Sequence, residues 1–232
     1  MLLLAIDTSG KEGGIALARC EGASCEILES SPIAGGTFSA QLIPQVADAM
    51  TRQRLNPADL NALVAISGPG SFTGLRVGLS AAKGLAEALH IPIVSLSLLE
   101  LMATAYDETD RVLAVLDAGR SECYCGEYDV REQGPALIRE FLASREELVQ
   151  LAAARALAIV ACEETILALL NERGFSAIRV PRPDSASAVV PGYRKLLAGD
   201  TTDVEKLDAN YIRRSDAEIF SKPKLDAQKR PF

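Results

Sequence analysis

Two short runs carry residue types suited to phosphate or metal chemistry. Asp7-Thr8-Ser9 follows the apolar run 2–6, and Asp117-Ala118-Gly119-Arg120 follows the apolar run 112–116. If two strands deliver these aspartates to equivalent, facing turns, the carboxylates could hold a hydrated Mg²⁺ on a nucleotide. The hydroxyls of Thr8 and Ser9 could then assist at a phosphate. A plainer role competes: Asx and Ser/Thr turns at strand ends use the same side chains to cap the backbone.

Other chemistries find less support. His90 is the only histidine, so no two-histidine metal site can be assembled within one chain, and no metal site is expected. A serine–histidine hydrolase would have to use the same His90, and no glycine-framed serine elbow is placed to meet it. Cys20, Cys25, Cys123, Cys125 and Cys162 show no metal-ligand spacing. Their odd count fits reduced, mostly buried thiols in a cytoplasmic protein. The loop Gly68-Pro69-Gly70-Ser71-Phe72-Thr73-Gly74 is not a phosphate-binding Walker loop, because it lacks the lysine followed by Ser or Thr.

That loop nevertheless contains the least generic sequence in the chain. It stands between an apolar run at 61–66 and a helical pattern ending near His90, where a strand hands over to a helix. Ser71 or Thr73 can cap the helix. Leu75, Leu79, Ala82, Ala86 and Leu89 form one apolar stripe, and beside it Gly74, Gly78, Ala81, Leu85 and Ala88 form a stripe of mostly small residues. A helix-interior glycine costs about 1 kcal/mol relative to alanine. Another backbone, from this chain or a partner, is therefore expected close to Gly74 and Gly78; ordinary helix-on-sheet packing is the alternative.

The surrounding elements repeat. Strands at 2–6, 15–18 and 26–29 precede a helix over 38–54 that must accommodate Pro44 either in a late-starting first turn or with one backbone bond lost. A strand at 63–66, the glycine-rich helix, a strand at 91–95 and a helix at 98–106 complete one unit. The same order restarts at Arg111, with strands to 120, at 122–128 and 136–142, and a helix opened by Ser144. A strand at 156–160, a helix at 163–172, a strand at 178–180 and a last helix at 185–197 follow. The expectation is an α/β protein of duplicated mixed-sheet lobes: 1–106, 107–198, and a C-terminal segment and flexible tail at 199–232.

Composition fits a folded globule: 232 residues are 48% hydrophobic and 24% charged. A net charge of −7 makes the chain a poor candidate for gripping nucleic acid alone. The first residues lack a basic flank and are too few to span a membrane, so they read as a first strand.

Asp7-Thr8-Ser9, the block from Gly68 through Leu79 with Ala82-Lys83-Gly84-Leu85-Ala86, Ile91-Pro92, Asp117-Ala118 and the late Tyr211-Ile212-Arg213 together resemble the TsaB (YeaZ-type) family. The resemblance runs from Met1 to about Arg214. It implies a two-lobed fold of the actin, sugar-kinase and heat-shock-ATPase superfamily (ribonuclease H-like). It also implies a non-catalytic subunit that supports TsaD, with TsaE, in forming N6-threonylcarbamoyladenosine on tRNAs reading codons that begin with A. The tRNA is then a substrate of the complex rather than of this chain alone. TsaD, or a competing second copy of the chain, would contact the 39–54 helix and the glycine-rich helix, making Leu42, Val46, Met50, Phe72, Gly74, Leu75, Gly78 and Leu79 the expected partner-binding residues. No cofactor is firmly implied; ATP or ADP at the joint interface with TsaD is the candidate, with Asp7, Thr8, Ser9 and Asp117 as its residues. The alternative is a nucleotide phosphohydrolase using Asp7 and Asp117.

Overall fold

The computed structural model describes residues 1–106, 108, 110–154 and 157–213. Its first lobe contains strands β1 (Leu2–Asp7), β2 (Glu12–Glu21), β3 (Ser24–Ala34), β4 (Ala62–Gly68) and β5 (Ile93–Ser97). These form one sheet in the order β3-β2-β1-β4-β5. The second lobe contains β6 (Arg111–Gly119), β7 (Glu122–Arg131), β8 (Gly134–Ser144), β9 (Ala158–Ala161) and β10 (Ile178–Arg179). Read from β8, the second sheet has the order β8-β7-β6-β9-β10, the same arrangement again. In each lobe the first strand pairs antiparallel with the second and parallel with the fourth. The duplicated, two-lobed ribonuclease H-like architecture is thus present.

The helices are α1 (Phe38–Arg52), α2 (Phe72–Leu89), α3 (Leu98–Thr104), α4 (Arg145–Ala154), α5 (Glu164–Glu172) and α6 (Val189–Leu197). They explain why β1 and β6 are continuously apolar: each is covered on both faces. Leu2, Leu4 and Ile6 point into a core shared with α1 and α2, while Leu3 and Ala5 join a central core containing α3 and α6 residues. In β6, Val112, Ala114 and Leu116 enter that central core, and Leu113 and Val115 face α4 and α5. Short α3 contacts strands of both sheets and forms the apolar seam between the lobes.

Local chemistry sets the helix limits. Ser71 caps α2, its Oγ accepting the Gly74 N–H at 3.2 Å. His90, the lone histidine, ends the helix in a left-handed conformation, φ 54°, where its N–H reaches the last-turn carbonyls. Helix α1 begins at Phe38 with Pro44 inside it, so one backbone bond is lost. Pro44 and Ala40 are both exposed, which leaves the unpaired Ala40 carbonyl open to water.

Two expectations need correction. Helix α6 does not belong to the 107–198 lobe: it packs on the first sheet, so closely that a Cβ at Gly192 would lie 2.5 Å from Val64 Cγ2. The C-terminal segment beyond it packs on the first lobe. Thr202 pairs with Ile93, and Leu207 and Ala209 are buried in the α1/α2 core. The expected flexible tail at 221–232 lies outside the described residues. Finally, Cys20 and Cys25 are not reduced thiols but a disulfide across directly opposed positions of the β2–β3 hairpin. Cys123, Cys125 and Cys162 are free, the first two buried. Among the described residues, no helix is long and apolar enough to cross a membrane.

Candidate functional site: an interlobe cleft and a helix seam

A cleft of about 900 Å³ opens between the lobes. Ser9, Lys11, Phe38 and Ser71 line it from the first lobe; Asp117, Tyr124, Glu163 and Arg182 line it from the second. Of the four residues expected to bind nucleotide, only Ser9 and Asp117 reach its wall. Asp7 and Thr8 lie behind it, 3% and 2% exposed.

The end of β1 is folded into a turn by its own side chain. Asp7 Oδ1 accepts the Ser9 N–H at 2.8 Å. Burial pushes the Asp7 carboxyl above its ordinary value, opposed by hydrogen bonding from Ser9 and by the charge of Arg182. The Ser9 carbonyl accepts the Ser71 N–H at 2.7 Å, stitching this turn to the start of α2. The Asx turn, one of the two readings of Asp7, is therefore present.

Thr8 resolves the question of what approaches the glycines. A Cβ at Gly78 would sit 2.1 Å from Thr8 Oγ1, and one at Gly74 would sit 2.1 Å from the Thr8 carbonyl oxygen. Both distances are far below contact, so the bulk missing from α2 makes room for this chain's own first turn. The expectation that Gly74 and Gly78 present an open flank to another polypeptide is corrected accordingly. Leu42, Val46, Met50, Leu75 and Leu79 are likewise 1–5% exposed and packed in the α1/α2 core. Of the eight residues expected to bind a partner, Phe72 alone is exposed, at 40%.

The second-lobe turn is built differently. Asp117 Oδ1 accepts the Gly119 N–H at 2.8 Å, while Oδ2 accepts from Arg145 Nη2 at 3.1 Å and Thr165 Oγ1 at 3.0 Å. Its backbone N–H donates to Glu163, which also pairs with Arg182 at 3.4 Å. Asp117 is thus a capped, ion-paired carboxylate, and it does not meet Asp7 across an open site. Arg145, Glu163 and Arg182 escaped the sequence reading because charged residues dispersed over 38 positions carry no local pattern. Among the described residues, no group of three or more His, Cys, Asp or Glu is placed to hold a metal ion.

The outer flank of α2 is open. Between α1 and α2 runs a seam of about 400 Å³ lined by Phe38, Ser39, Ile43, Arg76, Val77 and Ser80 among others. Ile43 is 51% exposed. At one end Arg76 lies 3.8 Å over the Phe72 ring, and Phe72 packs on Tyr211 with ring centres 5.2 Å apart. The seam meets the cleft at Phe38, Ser39 and Val77, which line both. The sequence reading did not single out Ile43 and Val77, because an exposed apolar residue and a core residue recur at the same helical spacing.

Comparison with known proteins places this architecture. Residues 32–219 match the family model described as TsaD: tRNA N6-adenosine threonylcarbamoyltransferase. A Haemophilus influenzae protein named tRNA threonylcarbamoyladenosine biosynthesis protein TsaB is 32% identical over 178 residues, covering 75% of this chain and 70% of that protein. The Escherichia coli protein of the same name is 36% identical over 137 residues, 58% of each chain, so the match spans little more than half of that relative. A Pseudomonas aeruginosa crystal structure, described as an uncharacterized protein with similarity to peptidase YEAZ, superimposes with a TM-score of 0.74 and 26% identity, covering 91% of this chain and 99% of that one. A second structure, YeaZ from the same organism, gives a TM-score of 0.71 at 23% identity, covering 90% of this chain and 100% of that one, and agrees in fold. With the repeated lobes, the glycine-rich α2 and the matched sequence in place, the chain belongs to the TsaB (YeaZ-type) family.

Proposed function

We propose that this chain is a non-catalytic subunit in tRNA threonylcarbamoyladenosine biosynthesis, docking TsaD through the outer seam between α1 and α2, with TsaE joining the complex. The observation that carries this reading is an apolar seam left open beside a helix whose other flank is sealed. Fully burying a large apolar side chain is worth about 1.5–3 kcal/mol, so covering the exposed half of Ile43 or Phe72 contributes about 1 kcal/mol each. Arg76 at the seam's end adds an anchor of the kind enriched at interface hot spots. A second copy of the chain would compete for the same surface. ATP or ADP would occupy the adjoining cleft only once TsaD completes it. The tRNA substrate implies a cytoplasmic setting.

The phosphohydrolase reading is less well supported, since Asp7 is buried behind the cleft and Asp117 is held by Arg145 and Thr165. Reconstitution tests the proposal: purified TsaD, TsaE, a separate enzyme that supplies the threonylcarbamoyl-adenylate, and tRNA, with and without this chain. Modification is expected to depend on the chain and to fall with Ile43→Asp, alongside loss of TsaD co-purification. Full modification without the chain, or ATP hydrolysis by the chain alone, would refute it.

A further inference from the structure

The Tyr211-Ile212-Arg213 motif lies where the chain passes from one lobe to the other. After α6, the strand-like pairing of Thr202 with Ile93 and a bond from Lys83 Nζ to the Glu205 carbonyl at 3.5 Å hold the chain to the first lobe. The next residues touch both lobes. The Asn210 N–H donates to the Ser67 carbonyl at 2.8 Å, at the end of β4, while its side-chain amide donates to Glu140 of β8. Arg76 Nε donates to the Tyr211 hydroxyl at 3.1 Å. Arg213 donates to the Gly119 carbonyl at 3.2 Å and to Glu122, both in the second lobe, with its guanidinium 5.9 Å from the Tyr124 ring centre.

Glu140 gathers these contacts. Its carboxylate also accepts from Ser97 Oγ of the first lobe at 2.5 Å and from the Tyr128 hydroxyl of the second. The lobes also meet through the apolar seam around α3, and apolar contact has no preferred direction, so elements packed there can slide. Hydrogen bonds to a carboxylate are short and directional. They therefore resist a change of angle that the seam would tolerate.

We propose that residues 210–213 are a clasp that fixes the angle between the lobes and, through Tyr211, presets the Phe72–Arg76 end of the docking seam. The second half rests on the docking proposal above; the first does not. Breaking the clasp widens the range of cleft openings in the isolated chain. Removing only the Tyr211 hydroxyl leaves Arg76 held by the Phe72 ring alone while the lobes stay in place.

The test uses the full chain, with spin labels attached by non-cysteine chemistry at exposed Gln41 of α1 and Glu172 of α5, and pulsed electron–electron distance measurement. Asn210→Ala/Arg213→Ala is expected to broaden and shift the interlobe distance distribution. Hydrogen-exchange protection of residues 119–122 should fall about tenfold, the scale of one lost hydrogen bond. Lys83→Ala cuts a bond of the same segment within one lobe and should leave the distribution unchanged. An unchanged distribution in the double variant, or equal broadening in Lys83→Ala, overturns the clasp. Tyr211→Phe is expected to weaken TsaD binding severalfold at an unaltered interlobe distance; unaltered binding overturns the seam half. Should the unmodified chain bind no TsaD, that half fails together with the docking proposal, and the distance measurement still decides the first.

Discussion

Helix α2 has two flanks with opposite fates. On the inner flank Gly74 and Gly78 are closed by Thr8, and on the outer flank Val77 and Ser80 line a seam that none of the described residues covers. Small residues alone do not mark an interface. They mark a close approach, and the approaching group here is the turn after β1. The open flank instead carries larger residues such as Ile43 and Val77, the kind of apolar area from which the proposed docking would gain affinity.

The largest expected effect tests the sealed flank. Gly78→Leu forces a side chain into the space of Thr8 and should cost about 3 kcal/mol or more, the upper range for overpacking. That corresponds to a melting temperature lower by roughly 10 °C for a chain of this size. Gly78→Ala should cost less, and adding Thr8→Ala should recover part of the loss, a coupling that a double-mutant cycle in thermal melts would reveal. The open flank should behave in the reverse manner. Ile43→Asp should weaken TsaD binding about tenfold while changing stability by no more than about 0.5 kcal/mol, measured by titration calorimetry and denaturant unfolding of the same variant.

Two smaller effects separate the equivalent turns of the two lobes. Arg145→Ala removes the ion pair from Asp117, whose side chain is 20% exposed, and should cost about 1 kcal/mol in urea unfolding, less at high salt. Asp7 should show a distinct pH signature. Its folded pKa is raised above the ordinary value of 3.8, so between 3.8 and the folded pKa the unfolded chain holds fewer protons than the folded one. Stability contributed by the protonated form is full below 3.8 and is lost as pH rises through that window. Asp7→Asn keeps an acceptor for the Ser9 N–H and removes the charge. Its melting temperature at neutral pH should therefore equal or exceed that of the parent, and the falling segment of the pH profile should disappear.

Much of the lobe order was legible because apolar runs, aspartate turns and helical stripes recur in sequence. The apolar runs 2–6 and 112–116 were read correctly as strands, and in the structure both are covered on both faces. The glycines of α2 were also read correctly as a demand for space. Their neighbour was not, since helical periodicity identifies a flank without saying which backbone fills it. Thr8 looked like a phosphate ligand because it follows Asp7; packing turned it into a plug. Helix α6 was assigned by its place in the chain, whereas its small Gly192 carries it back onto β4. Counting cysteines could not reveal that Gly22, at φ 59°, turns the hairpin and sets Cys20 opposite Cys25.

The central claim is that the outer seam, and not the glycine flank, receives TsaD. Titration of TsaD into a folded Val77→Asp/Ile43→Asp variant tests it most directly. Binding reduced by about a hundredfold or more, the sum of two hot-spot losses, with a single cooperative unfolding transition retained, is the expected result. Parental affinity in that variant would place the interface elsewhere on the molecule.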